Sequence, residues 1–325
     1  MLTALYQLSE SDQEFLPVYQ SLYSFDHKYS AWSPVTPTSN RVDGVSEFAV
    51  ITWNIDFTAP LRILRFETLL SHLEHLLSPI ESQPLPTIIL LQEVHKSCLP
   101  TLLSNTFIRA MYHVTDVSTH SWNCSYGTIT LIPKCLSMHV ASVFRTPFSN
   151  SIMGRDALYI DFDLPHPCQS FVETMKTKVR VANTHLESLP GHGDKVRTDQ
   201  LTSISQSLSS PDVDGGLVGG DMNAISPSDF NLPEEVGLLD AWTMGMKDPD
   251  DGRAAQAELG HTWGYQPRSK FPPNRLDKIL FVGCLRVAEM KRIGVGLKVS
   301  DGNGREGLNA WVSDHYGLQV KVVVV

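Results

Sequence analysis

The chain has 325 residues, of which 42% are hydrophobic and 19% are charged, and this composition excludes a disordered or fibrous protein. Its net charge of −9 excludes broad, sequence-blind binding along nucleic acid, although a nucleic-acid end could still bind in a local groove. The sequence contains no apolar run of roughly 20 residues, no basic and apolar signal segment and no paired cysteines, so we expect an intracellular protein without a membrane segment.

The first 46 residues mix short apolar pieces with Ser, Thr and Pro, which predicts an N-terminal arm before a domain at 47–325. A weak helical pattern occurs at 12–22. Apolar residues at helical spacing predict helices at 61–77, 98–103 and 194–209. Apolar and alternating runs predict strands at 48–53, 87–91, 111–117, 127–132, 138–144, 157–164, 178–182, 217–219, 278–282 and 318–325. Many strands with few helices predict an α/β sandwich, in which two packed sheets are flanked by helices.

Several predicted strands are bounded by carboxylate, amide or imidazole side chains. These residues are Asn54, Asp56, Glu93, Asn183, His185, Asp221, Asn223, Asp314 and His315. A single such residue indicates only a turn, whereas the repeated pattern is typical of a scaffold that directs polar groups to one mouth. Carboxylate and amide oxygens favour Mg²⁺ over zinc. The pattern therefore predicts a metal-assisted site for phosphate esters.

Hydrolysis of a phosphodiester requires a cation on the non-bridging oxygens, an oriented water and donors for the developing charge. Glu93 is the candidate metal anchor. Asn54 has the side chain to hold either that carboxylate or a phosphate oxygen.

The attacking water and the phosphoryl oxygen need their own partners. Asp221 and Asn223 form a candidate water-orienting pair, because residues two apart in an extended chain point the same way. His315 is a candidate donor to the phosphoryl oxygen as an imidazolium. The same alternation argues against the neighbouring Asp314 as the residue that holds the His315 ring, and Asp277 is the better candidate.

Four motifs in order closely resemble the endonuclease/exonuclease/phosphatase superfamily: TWN at 52–54, LQE at 91–93, GDMN at 220–223 and SDH at 313–315. Four more make the chain most similar to the 5′-tyrosyl-DNA phosphodiesterase branch: THLES at 184–188, LLDAW at 238–242, HTW at 261–263 and RLDKILF at 275–281. The resemblance covers residues 48–325.

The resemblance implies a DNase-I-like, four-layer α/β sandwich with two mostly antiparallel sheets inside. It implies that Asn54 contacts the phosphate and that Glu93 binds Mg²⁺. It also implies that Asp221 is the base that orients water and that His315 is the donor in the transition state. Asp56 and Asp314 would join Glu93 around the metal, Asn223 and Asp277 would support the phosphate, and His185 would face the same cleft.

The implied cofactor is Mg²⁺, for which Mn²⁺ can substitute. The implied reaction removes a tyrosine, left by a trapped topoisomerase, from a DNA 5′ phosphate during DNA repair. A DNA end or a protein–DNA adduct would be the partner, the nucleus is the expected location, and we expect a monomer.

Three positions depart from the branch. Phe57 stands where a glycine is usual, Ile225 where an arginine is usual, and Leu276 where an aromatic residue is usual. Since arginine and aromatic side chains contact DNA phosphate and bases, these departures leave the chemistry intact and bear on DNA affinity. We take Leu276, Trp263 and Arg155 as candidate substrate contacts. Trp263 could equally be core, and Arg155 could pair with Asp156 or Asp161 at the surface.

Two other functions remain open. The first is a different superfamily substrate, such as an RNA end, an inositol phosphate or sphingomyelin, and the second is an inactive binding scaffold. A basic group beside the predicted long loop at 247–274 indicates either a rim that guides phosphate or a solvated surface; its members are Arg268, Lys270, Arg275 and Lys278.

Overall fold

A computed structural model describes residues 16–35, 45–78, 85–165, 176–244, 246–247, 260–299 and 310–325. Part of the predicted N-terminal arm, at 1–15 and 36–44, lies outside the described residues, as does the first half of the predicted long loop, at 248–259. No helix within the described ranges is both long and apolar enough to cross a membrane.

The described strands form two sheets. The seven-stranded sheet has the order β1 (Val18–Tyr19), β8 (Val140–Pro147), β9 (Asp156–Pro165), β10 (Lys176–His185), β11 (Gly215–Asp221), β14 (Asp277–Gly283) and β12 (Leu239–Asp240). The nine-stranded sheet has the order β13 (Met246–Lys247), β15 (Leu285–Ile293), β16 (Gly317–Val324), β4 (Glu47–Asn54), β5 (Thr87–His95), β7 (Tyr126–Pro133), β6 (Tyr112–Val114), β2 (Tyr23–Asp26) and β3 (Ala31–Pro34).

Each sheet contains one parallel pair whose strands are joined by a long helix. Helix α1 (Arg62–Leu77) joins β4 to β5, and helix α4 (His192–Leu208) joins β10 to β11. The shorter helices are α2 (Leu99–Ser104), α3 (Thr106–Met111), α5 (Leu232–Glu235) and α6 (Ala241–Met244). A parallel connection needs such a crossover, and it brings the carboxyl ends of both strands to the same edge of the sheet.

Three apolar clusters separate four layers. The cluster between the sheets includes Val50, Leu90, Leu158, Val181 and Leu217. A second cluster packs Leu69 and Leu73 of α1 on Ile51 and Trp53, and a third packs Leu201 and Ile204 of α4 on Tyr159 and Val218. The helices therefore cover the outer faces of two packed sheets. This arrangement confirms the predicted four-layer α/β sandwich.

Two elements differ from the sequence predictions. The predicted helix at 12–22 is wrong over its described part, because Val18 and Tyr19 pair with Arg145 and Phe144 as strand β1. The pairing with β8 therefore overrides a weak helical pattern. The sequence analysis also missed β15, in which a bulge between Val287 and Glu289 interrupts the period-two alternation.

Candidate active site

Polar side chains from both sheets meet at the base of one cleft. Asn54 ends β4, Glu93 lies near the end of β5, His185 ends β10 and Asp221 ends β11. Asp277 begins β14 opposite Asp221, and His315 precedes β16. We call these six residues the polar floor. The cleft above has a volume of about 1040 Å³ and is lined by Glu93, His185, Asp221 and His315 from the floor.

Asp221 lies at the centre of the polar floor. Its Oδ2 accepts a hydrogen bond from Asn54 Nδ2 at 2.9 Å, and its Oδ1 accepts one from the Asn223 backbone N–H at 2.8 Å. Burial alone would raise the pKa of this carboxyl, but the charge of His315 and the two hydrogen bonds hold it below its ordinary value. Asp221 is therefore an ionised carboxylate that can accept a proton.

His315 is held by Asp277, as the sequence predicted. His315 Nδ1 lies 2.7 Å from Asp277 Oδ2, whereas Asp314 Oδ1 is 3.8 Å from His315 Nε2. Burial opposes the charged ring, but Asp277, Asp314 and Asp221 together raise the pKa of His315 well above its ordinary value. His315 is therefore an imidazolium at neutral pH, and its Nε2 lies 3.9 Å from Asp221 Oδ2.

His185 has the opposite charge state. Arg155 NH1 lies 2.7 Å from His185 Nδ1, and because a guanidinium only donates, this ring nitrogen is the acceptor. The proton of the neutral ring is then on Nε2, which lies 3.4 Å from Asp221 Oδ2 and 3.8 Å from Glu93 Oε1. Burial, followed by the charge of Arg155, lowers the pKa of His185 well below its ordinary value. The floor thus contains one charged and one neutral histidine.

Arg155 is buried, with 7% of its surface exposed, and it lines the cleft. The alternative of a surface ion pair with Asp156 or Asp161 is wrong, because these carboxylates pair with Arg145 and Arg180 respectively. Its position therefore leaves the predicted substrate contact open.

Glu93 adopts a left-handed backbone conformation with φ +60°, which is costly for a residue with a side chain. It falls at an irregularity in the pairing of β5 with β7, between Leu91 and Val94. Its Oε2 accepts a hydrogen bond from the Phe57 N–H at 2.9 Å. Burial raises the pKa of Glu93 to about 7, against the opposing effects of that N–H and of His315. A strained, half-buried acid at the base of a cleft is a strong candidate for function.

The donor atoms fit a divalent cation. Ligand atoms of Asp221, Asp277 and His315 lie within 4.8 Å of one another, but the His315 imidazolium has no free lone pair and Asp277 Oδ2 is bonded to it, so the metal ligands must be carboxylate oxygens. Glu93 offers Oε1 towards the cleft, and Asp314 accepts from Trp263 Nε1 at 2.9 Å only through Oδ2. This acidic, oxygen-rich group suits a hard cation.

Asp56 is not brought to the polar floor. Its Oδ1 accepts from Thr58 and Ala59 in the turn after β4, and its Oδ2 pairs with Arg65 at 3.1 Å. A carboxylate committed to a turn and to an arginine has few free lone pairs, so its position does not support the predicted role as a metal ligand.

Asn223 also differs from the expectation. Its φ of +46° departs from the extended conformation that the prediction assumed, although both Asp221 and Asn223 line the cleft. Instead the Asn223 N–H caps Asp221, and its Nδ2 donates to the Leu186 carbonyl at 3.0 Å. Asn183 points between the sheets, where it accepts from Gln92 Nε2 at 2.8 Å.

The remaining predicted positions lie on the walls of the cleft. Trp263, Ile225 and Leu276 all line it, and Leu276 is buried. Phe57 stacks on Tyr126 with ring centroids 4.0 Å apart, next to Glu93. The sequence analysis missed three exposed apolar residues of the walls; we call these and Ile225 the apolar rim, whose members are Leu189, Ile225, Phe230 and Phe271. Their position in loops that follow the polar motifs was the available signal.

Comparison with known proteins agrees with this architecture. TDP2 from Caenorhabditis elegans superposes with a TM-score of 0.62 at 21% identity, over 86% of this chain and 75% of that chain. TDP2 from D. rerio in complex with a single-strand DNA product superposes with a TM-score of 0.61 at 18% identity, over 86% of this chain and 99% of that chain. An endonuclease/exonuclease/phosphatase from Bacteroides vulgatus superposes with a TM-score of 0.60 at 14% identity, over 86% of this chain and 100% of that chain. At these identities the likeness shows the fold.

No curated protein sequence shows a significant match. The family model for the endonuclease/exonuclease/phosphatase family, however, matches residues 51–315 and so includes the whole polar floor. Because this match covers most of the chain, the protein belongs to the endonuclease/exonuclease/phosphatase family.

Proposed function

We propose that this phosphoesterase is a Mg²⁺-dependent phosphodiesterase that hydrolyses 5′-phosphotyrosyl or related 5′-phosphodiester bonds at DNA ends. The observation that carries the proposal is the geometry of the polar floor, where Asp221 Oδ2 lies 3.4 Å from His185 Nε2 and 3.9 Å from His315 Nε2. A base beside a cationic donor is the arrangement that in-line attack of water on a phosphodiester requires.

The hydrogen bonds of Asp221 define its role. Asn54 and the Asn223 N–H hold both of its oxygens, so the carboxylate cannot rotate away from the cleft. Asp221 then orients a water and accepts its proton. The lowered pKa of Asp221 keeps the base ionised at neutral pH.

The two histidines act on the phosphoryl oxygens. His315 donates from Nε2 as an imidazolium, because Asp277 occupies Nδ1 and stabilises the charge. His185 donates from Nε2 as a neutral ring, because Arg155 occupies Nδ1. Mg²⁺ held by Glu93, with Asp314 beside it, would supply charge neutralisation on the non-bridging oxygens when it is bound.

The DNA substrate is supported by the fold and by the motifs. TDP2 structures share the sandwich, and the D. rerio protein was solved with a single-strand DNA product. The motifs at 184–188, 238–242, 261–263 and 275–281 resemble the 5′-tyrosyl-DNA phosphodiesterase branch. On this proposal the protein acts in DNA repair, with the nucleus as its site of action and a DNA end or a protein–DNA adduct as its partner.

The direct test uses the purified chain, Mg²⁺ and an oligonucleotide with a 5′-phosphotyrosyl end. We expect release of tyrosine, loss of release with EDTA, and loss of release in the Asp221→Asn and Glu93→Ala variants. Asp163→Asn is the matched control, because Asp163 pairs with Lys176 at the surface. Failure to release tyrosine while another phosphodiester is hydrolysed would refute the substrate but not the chemistry.

One observation favours a second substrate class. The exposed members of the apolar rim would suit a phosphoester whose alcohol is apolar, such as a lipid or an aryl group. A panel of an RNA end, an inositol phosphate and sphingomyelin, each measured with and without EDTA, distinguishes this possibility from the DNA substrate. Turnover of any of these would exclude an inactive scaffold.

A further inference from the structure

Lys278 is a buried cation at the side of the cleft. It follows Asp277 on β14, so its side chain leaves the sheet on the opposite face from that carboxylate. Only 3% of its surface is exposed, yet it lines the cleft.

The carboxylates near Lys278 are committed to arginines. Arg275 holds Asp240 through NH1 at 2.9 Å and NH2 at 2.6 Å. Arg197 holds Asp229 through Nε at 3.0 Å and NH2 at 2.8 Å. Within the ranges that the structure describes, neither carboxylate accepts a hydrogen bond from Lys278 Nζ.

Lys278 thus offers the cleft an ammonium group that is available to an anion. The rim residues Ile225 and Phe230, which line the same cleft, have no acceptor atoms in their side chains. An anion that enters the cleft would therefore find a charged hydrogen-bond donor in Lys278. A phosphate is the anion that matches the chemistry of the polar floor beside it.

We infer that Lys278 binds a second phosphate of the substrate, next to the phosphate that is held at the polar floor. The substrate is then a strand of at least two nucleotides rather than a single nucleotide ester. This inference rests on the proposed function for its choice of a nucleotide strand, and it names a contact on which the hydrolytic chemistry itself does not depend.

The test compares equilibrium binding of thymidine 5′-phosphate with that of 5′-phosphorylated dithymidylate, with Ca²⁺ in place of Mg²⁺ to prevent turnover. We expect the wild-type protein to bind the dinucleotide more tightly. Lys278→Gln should weaken dinucleotide binding about tenfold, as expected for a hydrogen bond between charged groups, and should leave mononucleotide binding unchanged. Lys278→Arg should keep the preference, and Lys176→Gln, at an exposed surface pair, is the control.

A salt titration separates an ionic contact from a change in folding. Loss of one phosphate contact to a single strand should reduce the slope of log K against log salt by about 0.7. Equal weakening for both ligands, no weakening in Lys278→Gln, or no dinucleotide preference in the wild type would each overturn the inference. Because release of tyrosine is measured separately, failure of the proposed function gives a different result from failure of this contact.

Discussion

The polar floor and the apolar rim meet in one cleft but are built in opposite ways. Every residue of the floor is hydrogen-bonded to another floor residue or to its immediate support, as in the contacts of Asp221 with Asn54 and of His315 with Asp277. The rim residues are exposed side chains on loops, and Phe271 is 61% exposed. On the proposed function, the floor determines the reaction, whereas the rim determines what enters and can change without loss of the fold.

This difference separates chemistry from specificity. A buried and mutually bonded group tolerates few substitutions, because each partner that is left unpaired costs free energy. An exposed apolar side chain has no such constraint. Variants in the floor should therefore change the rate and its pH dependence, and variants in the rim should change substrate affinity alone.

The largest effect is expected for Asp277→Asn in the floor. The substitution keeps the shape of the side chain but removes the main negative charge facing His315, so the pKa of His315 falls. We expect kcat at neutral pH to fall by roughly 10²–10⁴, the usual contribution of such a proton donor. The descending alkaline limb of the kcat profile should move to lower pH.

Asp163→Asn, at the surface, is the control for this comparison. The test measures kcat against pH for both variants and compares the positions of their alkaline limbs, with thermal unfolding as a check of the fold. An unchanged alkaline limb in Asp277→Asn would show that the ring is not kept charged by this carboxylate.

A smaller effect is expected for the stability of the metal-free protein. The pKa of Glu93 is raised by burial from an ordinary 4.5 to about 7, so the folded state holds a proton that the unfolded state has lost. Stability is therefore lost as the pH rises from 4.5 through 7, by about 3 kcal/mol in total. Glu93→Gln should recover most of this free energy of unfolding at pH 8.

Mg²⁺ should stabilise the wild-type protein but not Glu93→Gln. A cation that binds the folded state stabilises it, by about 3 kcal/mol at a hundred times its dissociation constant. We expect this shift in the wild-type protein and not in Glu93→Gln, measured by denaturant unfolding with Mg²⁺ or EDTA. Equal stabilisation of both proteins by Mg²⁺ would place the metal elsewhere.

The sequence predicted the floor better than the rim for a physical reason. Strand ends that carry Asp, Asn and His are visible as motifs, and the parallel pairs β4–β5 and β10–β11 bring those ends to one edge. The alternation of side chains along an extended chain correctly argued against Asp314 as the partner of the His315 ring, which Asp277 contacts. It does not hold at Asn223, where the backbone is not extended.

The charge states of the floor were harder to predict. Nothing in the sequence around His185 shows that Arg155 contacts its Nδ1, because the two residues meet only across β9 and β10. The rim residues likewise come from separate loops, where no periodicity exists. Strand β1, at the edge of the seven-stranded sheet, depends on pairing partners more than 100 residues away, such as Arg145 for Val18.

In the rim we expect an effect on affinity of about tenfold. Phe271→Ala removes an exposed ring that can stack on a base, and such stacking contributes about 1–3 kcal/mol per base. KM for the phosphotyrosyl oligonucleotide should rise while kcat is unchanged. Tyr29→Ala, which removes an aromatic ring of similar exposure outside the cleft, should leave KM unchanged. A fall in kcat with constant KM would contradict the separation of rim and floor.

The smallest effect is a gain of affinity from Ile225→Arg. Ile225 is 37% exposed and lines the cleft, so a longer side chain can extend into solvent without displacing the core. The added guanidinium should lower KM for the oligonucleotide several-fold and steepen the dependence of log KM on log salt by about one phosphate contact. Ile225→Met, which adds length without charge, should do neither. If both variants lowered KM equally, the gain in affinity would come from apolar contact and not from the added charge.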